Sequence, residues 1–254
     1  MSKNPNSKSK PVKRDGPMTG AMKFFLAGCV AELYLLTVRR FYVNGTLEQV
    51  VAWDAYLVYF LWAGLAVLAA GAVLSILWRA DKRRRAAGWW LLGAGGFLAA
   101  SSFLIKFYFT SALTFLSVLV PVVMLLSILW TLYDRECAWA LTILGCSLLA
   151  LWVCRRELNS IYFGTYVKIA VVVYLVLLAA AAFLAHKAMK RDGMLGRVRV
   201  LPAGADVLPV YVACGISAAA LAAALISVTA AYYAMWALAI VVFALAVYYT
   251  VKQL

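Results

Sequence analysis

The chain has 254 residues, 66% of them hydrophobic and only 13% charged, with a mean hydropathy of +0.91 and a formal net charge of +14. No soluble domain of this length carries that composition, so the expectation is an all-α, polytopic membrane helix bundle. The positive charge does not point to nucleic acid, because Lys and Arg sit in loops beside apolar spans rather than along one folded face.

In chain order, residues 1–17 are rich in Lys, Ser, Asn and Pro without apolar periodicity and read as a disordered basic tail. Its expected partner is the anionic lipid headgroup at the cytoplasmic face. A single transmembrane domain is expected over 18–254. The first span, 18–38, is the weakest, because Lys23 and Arg39 bracket it closely and Glu32 interrupts it. Leu26-Ala27-Gly28-Cys29 has the residue types of a lipoprotein cleavage site. The apolar run ahead of it is nevertheless too short for a signal peptide, since Lys23 stands six residues before Cys29. Asn44-Gly45-Thr46 reads as a turn.

A second span follows at 55–78, then the basic cluster Arg79 to Arg85. Ala86 to Tyr133 is interrupted only by Lys106 and is too long for one crossing, so it predicts two spans, 86–107 and 112–133, with a turn around Tyr108 to Thr114. Pro121 should kink the second of these. Spans at 138–154 and 166–186 come next. Val207 to Val251 carries no charged side chain and divides into 207–228 and 231–251, with a turn expected at Thr229 to Tyr233.

Eight spans place both termini on one side. With that side cytoplasmic, 18 of the 24 Lys and Arg are inside, and only Arg39, Arg40, Lys106, Arg155, Arg156 and Lys168 are left outside. The positive-inside bias therefore favours the N-in, C-in orientation in a bacterial-type cytoplasmic (inner) membrane. Trp and Tyr at the expected span ends agree with the same boundaries.

Arg39-Arg40 and Arg155-Arg156 close the first and fifth spans, and each is followed by an aromatic loop with a Gly-Thr pair, a long span, a basic loop and a hairpin. The pattern invites a parallel four-plus-four repeat, although alternating topology produces much of it without one. Small residues expected at helix contacts are Gly93, Gly95, Gly96, Ala99 and Ala100 in the third span, and Gly215, Ala219 and Ala223 in the seventh.

An ionisable residue at membrane depth is the default candidate for function. Glu32 is that residue here, expected in the bundle interior with Lys106 as a neighbour at similar depth. Arg39, Arg40, Asp54, Arg155 and Arg156, with Glu48, Glu157 and Lys168, gather on the same side and would line a polar vestibule, unless they are ordinary interfacial charge. The single His186 has no partners for catalysis or metal, and the five cysteines have no metal spacing and read as small apolar residues. No phosphate loop, metal set or nucleophile–base pair is legible, so no cofactor and no enzymatic activity are expected. The favoured reading is a non-catalytic accessory, assembly or signalling component with a membrane-protein partner or a second copy of itself. The alternative is a small-solute or ion transporter using Glu32.

Overall fold

The computed structural model describes residues 17–78, 81–133, 135–161, 163–189, 194–195, 198–199 and 208–253. The basic tail at 1–16 and most of the loop at 190–207 lie outside the described residues. Helices α1 (Pro17–Val38), α2 (Leu47–Leu77), α3 (Lys82–Leu132), α4 (Arg135–Glu157) and α5 (Gly164–Met189) are followed by a two-stranded antiparallel ribbon, β1 (Met194–Leu195) and β2 (Val198–Arg199), and then by α6 (Leu208–Ile226) and α7 (Val228–Gln253). A short π-helix, Arg39–Val43, continues α1.

Seven of these elements, not eight separate helices, are long and apolar enough to span a membrane, and the chain is a multi-pass helical membrane protein. The difference from the expected eight lies in α3. Its 51 residues would extend about 76 Å as a straight helix, more than twice a hydrocarbon core of about 30 Å. It is not straight: Phe109 stands at φ 46 and ψ −119, outside helical geometry, and joins two helical stretches. The break falls inside the expected turn at Tyr108 to Thr114, but it takes one residue in place of a loop.

The other expected turn is also shorter and lies earlier. α6 and α7 meet at Ser227 rather than at Thr229 to Tyr233. Ser227 Oγ accepts a hydrogen bond from the backbone N–H of Ala230 at 3.0 Å, and this N-cap lets α7 start before the aromatic pair. α2 begins at Leu47, eight residues ahead of the expected Ala55, because the Thr46 N–H donates to Gln49 Oε1 at 3.1 Å and fixes its first turn.

The chain divides into two compact units, 26–124 and 1–25 with 125–254. In the first, α2 and the first stretch of α3 run antiparallel with their backbones in close approach. A Cβ added to Gly64 would lie 2.6 Å from the Ala99 nitrogen, one on Gly71 2.5 Å from the Leu92 nitrogen, and one on Gly88 2.9 Å from the Ser75 nitrogen. Gly95, one of the expected contact residues, lies in the same seam against Leu68. Gly93 does not: nothing lies within 4 Å of its Cβ position, and Gly96 meets only Leu68 Cδ1 at 3.6 Å. On the far side of the unit, Gly28 of α1 lies against Met124 of α3, and Leu35, Val38, Leu57, Ile105, Leu113 and Leu116 form a buried core.

In the second unit α4 is the central helix, packed on α5, α6 and α7 through Leu144, Leu151, Val171, Leu178, Leu221 and Leu238. Cys137, Cys154 and Cys214 are buried, as small apolar residues are. The order of pairing is alike in the two halves of the chain: α1 meets both stretches of α3, and α4 meets both α6 and α7. The contacts themselves differ, glycine against backbone in the first half and aliphatic side chains in the second.

Outward-facing residues match a lipid surround. Ile76, Phe183 and Phe243 are 72%, 66% and 71% exposed, positions that water would penalise and hydrocarbon does not. The glycine seam leads to a direct expectation. Gly71→Leu forces a side chain into the Leu92 backbone and lowers stability by about 1–3 kcal/mol or more, whereas Gly93→Ala gains helix propensity without a clash. Thermal unfolding of both variants in detergent micelles checks the contrast, and equal midpoints would rule out the seam.

Candidate functional site

Polar side chains concentrate at the end of unit 26–124 that carries Asn44 and Phe109. The wider turn of the π-helix carries α1 past Val38 and turns Tyr42 inward, where it is buried. From there the Tyr42 hydroxyl donates to Asp54 Oδ1 at 3.1 Å, and Lys106 Nζ lies 3.5 Å from Asp54 Oδ2. Three elements thus converge on one carboxylate. The ring of Phe109 sits 4.8 Å from that of Tyr42, so the one described non-glycine residue with positive φ is packed on the same cluster. Beside it, Phe41 and Trp53 stack in parallel at 5.6 Å, and the Arg40 guanidinium stands 6.0 Å from the Phe41 ring. Arg39 is exposed.

Lys106 pairs with Asp54 and not, as expected from span ends, with Glu32. Helix register explains the difference. The Tyr34 hydroxyl lies 3.2 Å from Ser102 Oγ, which sets α1 and the first stretch of α3 side by side. On that register Glu32 is level with Ala100, and Lys106 lies six residues beyond, about 9 Å along the axis. The antiparallel seam meanwhile brings Asp54 within one turn of Lys106.

Glu32 is half-buried, and its Oε2 is fully buried with no hydrogen-bond partner. Ser117 Oγ, on the second stretch of α3, is in the same condition. Ser117 was not legible as a candidate, because a serine in an apolar span ordinarily bonds a backbone carbonyl one turn back, as Thr142 and Ser147 do here at 2.6 and 2.7 Å.

Arg155 and Arg156 belong to the other unit. There the Arg155 guanidinium lies 4.5 Å over the Tyr232 ring, while Arg156 bonds its neighbour Glu157 at 3.2 Å and faces the Trp152 ring at 5.9 Å. The first expected arginine pair therefore places one guanidinium, and the second pair both, against aromatic rings of their own units. The same unit holds a hydroxyl pair that sequence reading missed, Ser147 Oγ and Tyr174 Oη at 3.1 Å, with Tyr174 also donating to the Ile143 carbonyl. His186 is exposed at the end of α5. Among the described residues no three His, Cys, Asp or Glu side chains group to hold a metal ion.

No family model, curated protein or solved structure matches the chain.

The Asp54 cluster combines a buried phenol with a half-exposed ion pair, and the two should contribute differently. A double-mutant cycle on Asp54→Asn and Lys106→Met is expected to give a coupling of about 0.2–1 kcal/mol, the range for solvated pairs. Tyr42→Phe, which removes a bond to a charged acceptor from a buried ring, should cost about 1.5–3 kcal/mol. Chemical denaturation in micelles measures both, and a Tyr42→Phe cost below the ion-pair coupling would reverse this ranking.

Proposed function

We propose that the protein is a non-catalytic accessory, assembly or signalling component of its membrane, acting through contact between transmembrane helices. The observation behind this reading is the outward face of α6. Gly215 and Ala219 are exposed there, Ala223 is half-buried, and nothing lies within 4 Å of a Cβ placed on Gly215. The opposite face of the same helix already buries Val210, Ala213, Cys214, Ser217, Leu221 and Ala224. Small residues at four-residue spacing gain nothing from lipid, but they let a second helix approach closely enough for backbone contact. The occupant we assign is a transmembrane helix of a partner membrane protein.

Gly215→Leu provides a test that does not disturb the fold, because its own helices leave the space open. The variant should keep the wild-type unfolding midpoint and lose a stoichiometric partner on purification from native membranes. Retention of the partner overturns this reading, and recovery of a self-associated chain replaces the partner with a second copy.

The setting we propose is a bacterial-type cytoplasmic membrane with both termini inside and with anionic headgroups bound at that face, supported by the distribution of 18 basic residues against six. A reporter active only in the cytoplasm should work when fused after Leu254 and fail when inserted at Gly45. The opposite pattern reverses the orientation.

A second reading, a small-solute or ion transporter with Glu32 as its ionisable site, is favoured by one observation: the buried, unpartnered Oε2 of that residue.

A further inference from the structure

Glu32 lies on the face of α1 that carries Gly28 four residues before it and Leu35 three residues after it. Both neighbours are fixed: Gly28 lies against Met124, and Leu35 shares a core with Leu113 and Leu116. The second stretch of α3 runs antiparallel to α1, so each step from Gly28 toward Leu35 matches a step back from Met124 toward Leu116. The position level with Glu32 is Val120. Ser117 lies on the same face three residues on, about 4.5 Å along the axis and within the length of a glutamate side chain.

Two side-chain oxygens near this level have no hydrogen-bond partner, and one backbone carbonyl there lacks its regular helical donor. Glu32 Oε2 and Ser117 Oγ are each buried without a hydrogen-bond partner. The third is the Ser117 carbonyl. In a regular helix it would accept from the N–H of residue 121, but residue 121 is proline, which has none. Pro121 thus leaves a backbone oxygen without its regular donor, one turn from the level of the unpartnered carboxylate oxygen of Glu32. A buried oxygen without a partner costs free energy, and a carboxylate oxygen with a hydroxyl and a carbonyl in reach suits a small positive charge.

We propose that Glu32 Oε2, Ser117 Oγ and the Pro121-freed carbonyl of Ser117 form a binding site for one small monovalent cation, a proton or a sodium ion. The site deepens the cation-handling reading of Glu32 but concerns binding, so it can hold where transport is absent. Among the described residues no charged group pairs with Glu32. Residues 110–132 of α3 contain none, Lys23 of α1 and Arg39 of the π-helix are nine and seven residues away, and Asp54 of α2 is occupied by Lys106 and Tyr42. Tyr34 is engaged with Ser102.

The test uses the full chain in lipid vesicles and a hydrophobic carbodiimide, which modifies protonated carboxyl groups in apolar surroundings, with labelling at Glu32 read by mass spectrometry. Labelling should be saturable and should fall as pH rises. Added sodium chloride, but not choline chloride, protects Glu32 if sodium takes the site; indifference to sodium with retained pH dependence assigns it to the proton. Ser117→Ala and Pro121→Ala, both mild in a helix, should each raise the required proton or sodium concentration about tenfold, the effect of one lost ligand. Glu32→Gln abolishes the signal. If Glu32 never labels, or if both variants titrate like the wild type, the site is overturned. The second outcome would still leave Glu32 as an ionisable residue for the transport reading.

Discussion

Helices in hydrocarbon gain nothing from burying apolar side chains against one another, since lipid is as apolar as leucine; they associate by close packing. In unit 26–124 that packing is the approach of the α2 and α3 backbones at Gly64, Gly71, Gly88 and Gly95, where a Cβ would meet a main-chain nitrogen. Such a contact admits little sliding, because each glycine must stay opposite its own residue. The seam therefore sets where everything farther along the two helices falls. Asp54 comes within one turn of Lys106, and the turn at Phe109 is held beside Tyr42. A non-glycine residue at φ 46 costs about 1–3 kcal/mol, and only surroundings that fix the backbone on both sides sustain it.

The same solvent governs the polar groups. With no water at mid-membrane, a hydroxyl must find an acceptor within the protein, and most described ones do. Thr37, Thr114, Thr142, Ser147 and Thr250 donate to carbonyls four residues back, and Ser101 and Thr131 to carbonyls three back. Tyr34 and Tyr174 find a serine on another helix. Against this background four buried side-chain oxygens stand without a partner among the described residues, the hydroxyls of Ser117, Tyr211 and Ser217 and Oε2 of Glu32, and Glu32 is the one carboxylate. The significance of Glu32 rests on that contrast more than on its being acidic.

Much of the architecture was legible because it follows from lengths and composition. Apolar runs too long for one crossing had to fold back, and Trp and Tyr marked where they ended. What was not legible depends on single residues and on register. That Phe109 alone turns α3, and that Ser227 caps α7, are local backbone choices which apolar periodicity does not encode. Of the glycines in the third span, composition could not separate Gly95, pressed on Leu68, from Gly93, facing open space, because the difference is one of helix face. Lys106 was placed beside Glu32 by counting from span ends. The extension of α1 through the π-helix and the pairing of Tyr34 with Ser102 shift that estimate by about 9 Å, enough to give Lys106 a different carboxylate.

Register also separates two kinds of helix contact within this one unit. Along α2 and α3 the backbones touch at intervals of seven residues, Gly64 to Gly71 and Gly88 to Gly95, and neither helix contains proline there. Between α1 and the second stretch of α3 the glycine contact at Gly28 gives way, one turn on, to Glu32 and Pro121. A helix that has lost an internal hydrogen bond bends more readily than one that keeps them all. The ionisable group and the proline of the second stretch of α3 thus lie at about the same level, while the glycine seam holds the other side fixed.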